Sequence, residues 1–187
     1  MNIGGLISFE NVSRDIKLSF QTLKKYLDAM EKSYLIVKVS PFYTNKIKEI
    51  IKQPKVYFVD TGLRNVISKN FTEPDGKIFE NYVLSELMKI GFSPKYWRTK
   101  SKADVDFIIE RDNEIIPIEV KINAKPDKIE KSLRSFINAY KPKKALVVTY
   151  KGSNGTINVD GCRIIFTDIL GMRRILLKPL RQTAENG

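Results

Sequence analysis

The chain has 187 residues, 42% hydrophobic and 29% charged, a globular balance with room for one domain or two small ones. Lys and Arg outnumber Asp and Glu 33 to 21, and the formal charge of +12 favours a polyanionic partner such as nucleic acid over a neutral metabolite. With no histidine and Cys162 as the one cysteine, structural zinc, Cys/His or Ser/His/Asp catalysis and a disulfide are disfavoured, and a reducing, cytoplasmic setting is expected.

From Gly4 to Phe42 the pattern reads as a helix-turn-helix with a wing. Ser8 can cap a short helix carrying Phe9, Val12 and Ile16. Leu18-Ser19 breaks it, and Ser19 can cap a second helix in which Phe20, Leu23, Leu27 and Met30 recur at helical spacing as a buried face. Gln21, Thr22, Lys24, Lys25 and Asp28 then face outward. A strand starts at Tyr34, with Pro41 to Lys48 as the wing's turn and return. A recognition helix of this kind would bring Gln21, Lys24 and Lys25 to a DNA groove and Lys46 and Lys48 to a phosphate strand. Docking to a protein partner is the alternative use of the same element. Met1 to Gly5 does not supply the usual first helix, which suggests an expressed fragment or a reduced free-standing relative.

Lys55 to Val59 reads as a strand, followed by a short helix to about Ser68 in which Asp60 is better taken as an N-cap than as an acid. Pro74-Asp75-Gly76 signals a turn, and the domain boundary is set there, giving 1–75, 76–177 and a flexible tail 178–187. A helix from Lys77 to Ile90 ends at Gly91, carries Phe79, Val83, Leu84 and Leu87 on its apolar stripe, and has Glu80 at the stripe's edge. Lys95 to Arg98 is a strand with Tyr96 and Trp97 inward. Arg98 can meet phosphate or pair with Asp104, and Lys100 and Lys102 lie in a basic turn.

Two short strands joined by a polar turn span Ala103 to Lys121. Val105, Phe107 and Ile109 alternate with Asp104 and Asp106, which places both aspartates on one face. In the second strand Ile115, Ile116, Ile118, Val120 and Ile122 form a nearly continuous apolar run, as in a strand covered on both faces. Glu119 and Lys121 interrupt it, two apart and therefore on the same side. A carboxylate and an ammonium there carry a heavy desolvation cost, and such a break is where a functional site is sought. Neighbouring strands lie about 5 Å apart, so Asp106 can meet Glu119 and Lys121. Adjacent carboxylates repel unless a cation lies between them, and hard oxygen ligands suit Mg²⁺ or Mn²⁺. A plain Glu–Lys pair in a hairpin is the simpler alternative.

Beyond Lys121 a helix is expected from Asp127 to Tyr140, buried through Ile129, Leu133, Phe136 and Ile137 and basic outside through Lys125, Lys128, Lys131 and Arg134. Ala145 to Tyr150 would be a buried strand, parallel to its neighbour across a right-handed crossover. Lys151 to Thr156 reads as a loop, Arg163 to Phe166 as a last strand, and Thr167 to Leu170 as the start of a short helix. No apolar run reaches the roughly 18 residues of a membrane span, and no signal peptide is visible.

Asp106 and Glu119-x-Lys121, preceded by a helix with Glu80, resemble the PD-(D/E)XK nuclease superfamily. The phrases P-K-V-Y-F-V-D-T-G-L (Pro54 to Leu63), G-K-I-F-E-N-Y-V (Gly76 to Val83), Y-W-R (Tyr96 to Arg98) and D-V-D-F (Asp104 to Phe107) resemble the C-terminal region of archaeal and bacterial AAA+ ATPases. There a winged helix precedes a nuclease-like domain. The likeness covers roughly Leu6 to Ile169. It implies an α/β fold, a restriction-endonuclease-like αβββαβ core after a partial winged helix-turn-helix. It further implies Mg²⁺- or Mn²⁺-dependent hydrolysis of DNA, a hydrolase activity. Asp106 and Glu119 would hold the metal, with the carbonyl of Val120 as a third ligand and Asp104 as a substitute for Asp106. Lys121 would position the nucleophile, and Glu80 would support the metal's shell. No G-x-x-x-x-G-K-[ST] occurs, so the ATPase machinery itself is not in this sequence. Two other classes stay open. One is a catalytically silent DNA-binding module, and the other is an interaction module acting with a AAA+ ATPase.

Overall fold

In the computed structural model the described residues are 9–43, 53–69, 73–99 and 101–177. Strands β4 (Asp104–Arg111) and β5 (Glu114–Lys121) form the central hairpin. Asp112 and Asn113 join them with φ of 49° and 62°, the left-handed pair that a two-residue hairpin loop requires and that Asp and Asn tolerate. Six strands make one mixed sheet in the order β3-β4-β5-β6-β8-β7, completed by β3 (Lys95–Arg98), β6 (Lys144–Thr149), β7 (Gly155–Val159) and β8 (Cys162–Thr167). β5 and β6 run parallel, as do β6 and β8; the other pairs are antiparallel.

Helices cover both faces. Helix α4 (Gly76–Lys89) and helix α6 (Ile169–Leu177) lie on one, where Phe79, Val83, Leu84, Met172 and Leu176 enclose Phe107, Ile118 and Leu146. Helix α5 (Lys131–Tyr140) lies on the other, with Leu133 and Ile137 against Val147, Ile164 and Phe166. This double cover is why β5 is apolar along nearly its whole length. Asp75 caps α4 by accepting from Ile78 N at 2.8 Å, and Gly91 (φ 88°) leads the chain out of it.

Upstream, helix α1 (Phe9–Asp15) leads to helix α2 (Phe20–Lys32), whose N-cap Ser19 accepts from Thr22 N at 3.1 Å. Strand β1 (Ile36–Val39) pairs antiparallel with β2 (Lys55–Phe58), and helix α3 (Thr61–Ser68) follows. Asp60 is the N-cap of α3, accepting from Leu63 N at 2.9 Å. Ile36, Val39, Val56, Tyr57 and Phe58 join the same cluster as Phe79 and Phe107, so one interior crosses the turn at Asp75.

Several elements differ from expectation. Pro41 does not open a turn. It bridges to Tyr96, and Phe42 N donates to Tyr96 O at 2.5 Å, which ties the β1 segment to the edge of the large sheet. The wing's return, with Lys46 and Lys48, falls outside the described residues. Phe20 is 47% exposed, because as the first residue of α2 it precedes the turns that Leu23, Leu27 and Met30 bury. Asp28 does not simply face outward, since its Oδ1 lies 2.5 Å from Lys38 Nζ. The helix expected from Asp127 begins at Lys131, after Glu130, which is its extended N-cap residue (φ −65°, ψ 146°). Strand β7 takes in Gly155 and Thr156, expected to be loop, and Ile157 to Val159, for which no element was expected, and pairs to β8 through a tight turn at Asp160 and Gly161. The terminal helix runs on to Leu177, held by Met172 and Leu176. The tail from Lys178 is outside the described residues. Among the described residues no helix is long and apolar enough to cross a membrane.

Candidate functional site

The β4–β5 ladder runs from the hairpin turn as far as the pair Phe107–Ile118 and stops. The side chain of Asp106 then replaces the backbone, its Oδ2 accepting from Val120 N at 2.8 Å. Strict alternation also fails here. Val105 packs with Trp97 and Phe136, while Phe107 packs in the cluster of Tyr57, and the β3–β4 register slips between Lys95 and Trp97. An irregularity of this kind redirects side chains at a strand's end. The result places acidic groups from both sides of the sheet near Asp106.

On the α5 side, Glu119 is buried and its Oε1 lies 2.9 Å from Lys121 Nζ. Glu130 Oε1 stands 4.0 Å from the same ammonium. On the α4 side, Tyr57 OH donates to Glu80 Oε1 at 2.5 Å. Lys55 Nζ lies 3.0 Å from Asp104 Oδ2 and 3.9 Å from Glu80 Oε1. Lys55 is 2% exposed, above the ring of Tyr96 at 5.3 Å. Asp104 Oδ1 and Glu119 Oε2 are buried without a hydrogen-bond partner among the described residues.

Glu80 and Glu119 both feel the charge of Asp106. Burial, then the charge of Asp106, pushes Glu119 up to about 8, against the opposing pull of Lys121. Burial and Asp106 also push Glu80 up to about 7, with Lys55 and the Tyr57 hydrogen bond opposing. Asp106 is raised chiefly by burial, although Lys55 and the Val120 N–H favour its ionised form. Burial alone would lower Lys121, but the charge and hydrogen bond of Glu119 outweigh it and keep the ammonium protonated. Carboxyls held near neutrality beside lysines mark excess acidity that the protein's own cations only partly offset.

Asp106, Glu119 and Lys121 are thus brought together at the ladder's end, and Glu80 joins them through Asp106 and Lys55. Val120 is buried and gives its N–H to Asp106. Arg98 stands opposite Asp104 in register, but the ion pair of Asp104 goes to Lys55, not to Arg98. Lys102 is exposed in the turn after β3, with φ of 66°, and Lys100 is outside the described residues. Gln21, Lys24 and Lys25 are exposed together on α2. Cys162 is buried and burial pushes its thiol up to about 11, so it is inert. Lys55 and Tyr57 are the members that sequence reasoning missed. The signal was a lysine opening the apolar strand Lys55-Val-Tyr-Phe, a charge against an apolar run as at Glu119 and Lys121.

The donor set available to a metal is all oxygen. Among the described residues no group of three or more Asp, Glu, His or Cys converges as ready-made ligands. The unpartnered Glu119 Oε2 and the raised carboxyls nevertheless suit a hard divalent cation better than any soft metal.

The class defined so far is an α/β protein with a mixed six-stranded sheet and a buried acid–lysine cluster at the end of its central hairpin. Residues 75–166 match a family described as a domain of unknown function (DUF4143), and residues 1–74 match a second one so described (DUF8612). An uncharacterized protein of Mycobacterium tuberculosis is 28% identical over 146 residues, which is 72% of this chain and 32% of that protein. A counterpart in Mycobacterium bovis gives the same figures of 28% over 146 residues. An uncharacterized protein of Haemophilus influenzae is 26% identical over 171 residues, covering 88% of this chain and 42% of its own length. The chain therefore spans less than half the length of these curated relatives.

Proposed function

We propose that the chain is a metal-dependent deoxyribonuclease-like protein, a PD-(D/E)XK-type core preceded by a winged-helix-like element. The observation that carries the reading is the meeting of Asp106 with Glu119 and Lys121 where the β4–β5 ladder ends. The succession α4-β3-β4-β5-α5-β6 supports it, since it follows the αβββαβ order of that superfamily. Asp106, Glu119 and the Val120 carbonyl would hold Mg²⁺ or Mn²⁺. When bound, the ion lowers the pKa of a coordinated water and offsets charge on the phosphate. Lys121, protonated at neutral pH, orients the nucleophile by hydrogen bonding and adds positive charge beside the phosphate. Glu80 would act one layer out, its charge tuned by Tyr57 and Lys55. The +12 charge, with Gln21, Lys24, Lys25 and Lys102 exposed, supplies attraction to the DNA backbone.

The test is cleavage of labelled single-stranded, duplex and branched DNA with Mg²⁺ or Mn²⁺, with Asp106→Ala, Glu119→Ala and Lys121→Ala as controls. Cleavage lost in each folded variant is the expected result, and cleavage surviving in all three refutes the assignment. One observation favours a second reading, a catalytically silent DNA-binding module. Lys121 and Lys55 already lie against Glu119 and Asp104, the positions that a metal would offset. Tight binding with a steep salt slope and no cleavage would select that module. Neither binding nor cleavage would point to an interaction module serving a AAA+ ATPase.

A further inference from the structure

A cleft of about 360 Å³ begins at Glu119 and Lys121 and runs away from Asp106, between residues 123–130 and the loop 151–153. Its volume lies in the range of sites that take one small molecule. The half-buried Ile129 supplies apolar surface within it, backed by the buried Leu133 and Val147. Asn123 and Ser153 are exposed along its edge, and at the rim the exposed Lys125, Lys128 and Lys151 outnumber the exposed Asp127 and Glu130. The walls are held by backbone contacts: Lys151 N donates to Ile122 O at 2.7 Å and Ser153 N to Ala124 O at 3.0 Å. A Cβ on Gly152 would stand 2.2 Å from Ala124 O, so that approach admits no side chain. The cleft is thus preformed.

Apolar surface, hydrogen-bonding edge and cationic rim are three different chemistries, and a bare phosphate would use only the last. A nucleotide uses all three, with its base against Ile129, the base's polar edge at Asn123 and Ser153, and phosphates along Lys125 and Lys128. We propose that this cleft receives the base of one unpaired nucleotide, next to the phosphate held at Lys121, so that single-stranded DNA is the preferred substrate. The inference rests on the hydrolytic reading only for placing that phosphate. A base paired and stacked inside a duplex cannot turn its ring face into a recess without first being extruded, at a cost of a few kcal/mol. An already unpaired strand escapes that cost.

Fluorescence anisotropy with the whole chain, in EDTA, tests this without any cleavage. A short fluorescein-labelled single strand is compared with the blunt duplex of the same sequence. The expected result is a preference of roughly tenfold or more for the single strand, as follows from an extrusion cost of a few kcal/mol. Ile129→Trp, which fills the cleft from one wall, should reduce single-strand affinity to the duplex level and leave duplex affinity unchanged. Ser153→Trp fills it from the opposite wall and decides the matter if the first variant does not fold. Equal affinity for strand and duplex, or cleft-filling variants that bind like wild type, overturns the proposal. Strand-selective binding without Mg²⁺-dependent cleavage would keep the cleft and sink the hydrolytic reading. Cleavage that depends on Glu119 but shows no strand preference would do the reverse.

Discussion

The phenol of Tyr57 donates a 2.5 Å hydrogen bond to Glu80 Oε1, so a strand from the first part of the chain and a helix from the second meet on one carboxyl group. That bond draws down a carboxyl otherwise pushed up by burial and by Asp106. Tyr57→Phe should therefore cost about 1–2 kcal/mol of stability and move the Glu80 titration further upward. Urea denaturation and a carboxyl-detected NMR titration would show both effects. An unchanged Glu80 titration would contradict the link.

The raised carboxyls fix the direction of the pH dependence. Glu80 and Glu119 ordinarily ionise near 4.5 and here do so near 7 and 8. The folded protein keeps protons that the unfolded chain releases in that interval. Their contribution is full below about pH 4.5 and is lost as pH rises through 7 to 8. In EDTA the Tm should fall across this window, and Glu119→Gln should flatten the fall. A wild-type profile that is level from pH 5 upward would count against these shifts.

Lys55 presents a case of mutual dependence. Removing it alone, as in Lys55→Met, leaves Asp104 and Glu80 without their buried cation and should destabilise by about 3–5 kcal/mol. Asp104→Asn in the same chain should recover much of that loss. Denaturation of the two single variants and the double variant measures the coupling, and simple additivity would show that the ion pair carries none.

Divalent cations provide a further check. Mg²⁺ or Mn²⁺ bound by the folded state raises the Tm in proportion to the logarithm of its concentration above its Kd. The rise should grow as pH climbs through about 8, as protons leave Glu119, and be absent in Glu119→Gln. An equal rise in that variant would place the ion elsewhere.

Much of this was legible along the chain. The polar turn at Asp112 and Asn113 and the caps Ser19 and Asp60 are local chemistry, and local chemistry can be read directly. Glu119 and Lys121 stood out because they break an apolar run. Strand β7 was missed although Asp160-Gly161, between Thr-Ile-Asn-Val and Cys-Arg-Ile-Ile, is a hairpin signal. As a half-exposed edge strand it lacks the apolar run that marked its neighbours. The helix expected at Asp127 begins later, after the extended N-cap Glu130. The slip in β4 arises from pairings between distant segments, and such pairings leave no trace in spacing.

The continuous interior across Asp75 has a consequence for how this architecture can be divided. Tyr57 and Phe58 are sealed among Phe79, Val83 and Leu84. A chain starting at Gly76 would turn that wall toward water, exposing aromatic and aliphatic surface that favours self-association. It would also leave Glu80 without Tyr57 and Asp104 without Lys55. The upstream part is therefore structural masonry for the acidic cluster, and exchanging it for an unrelated module would require rebuilding one side of the interior.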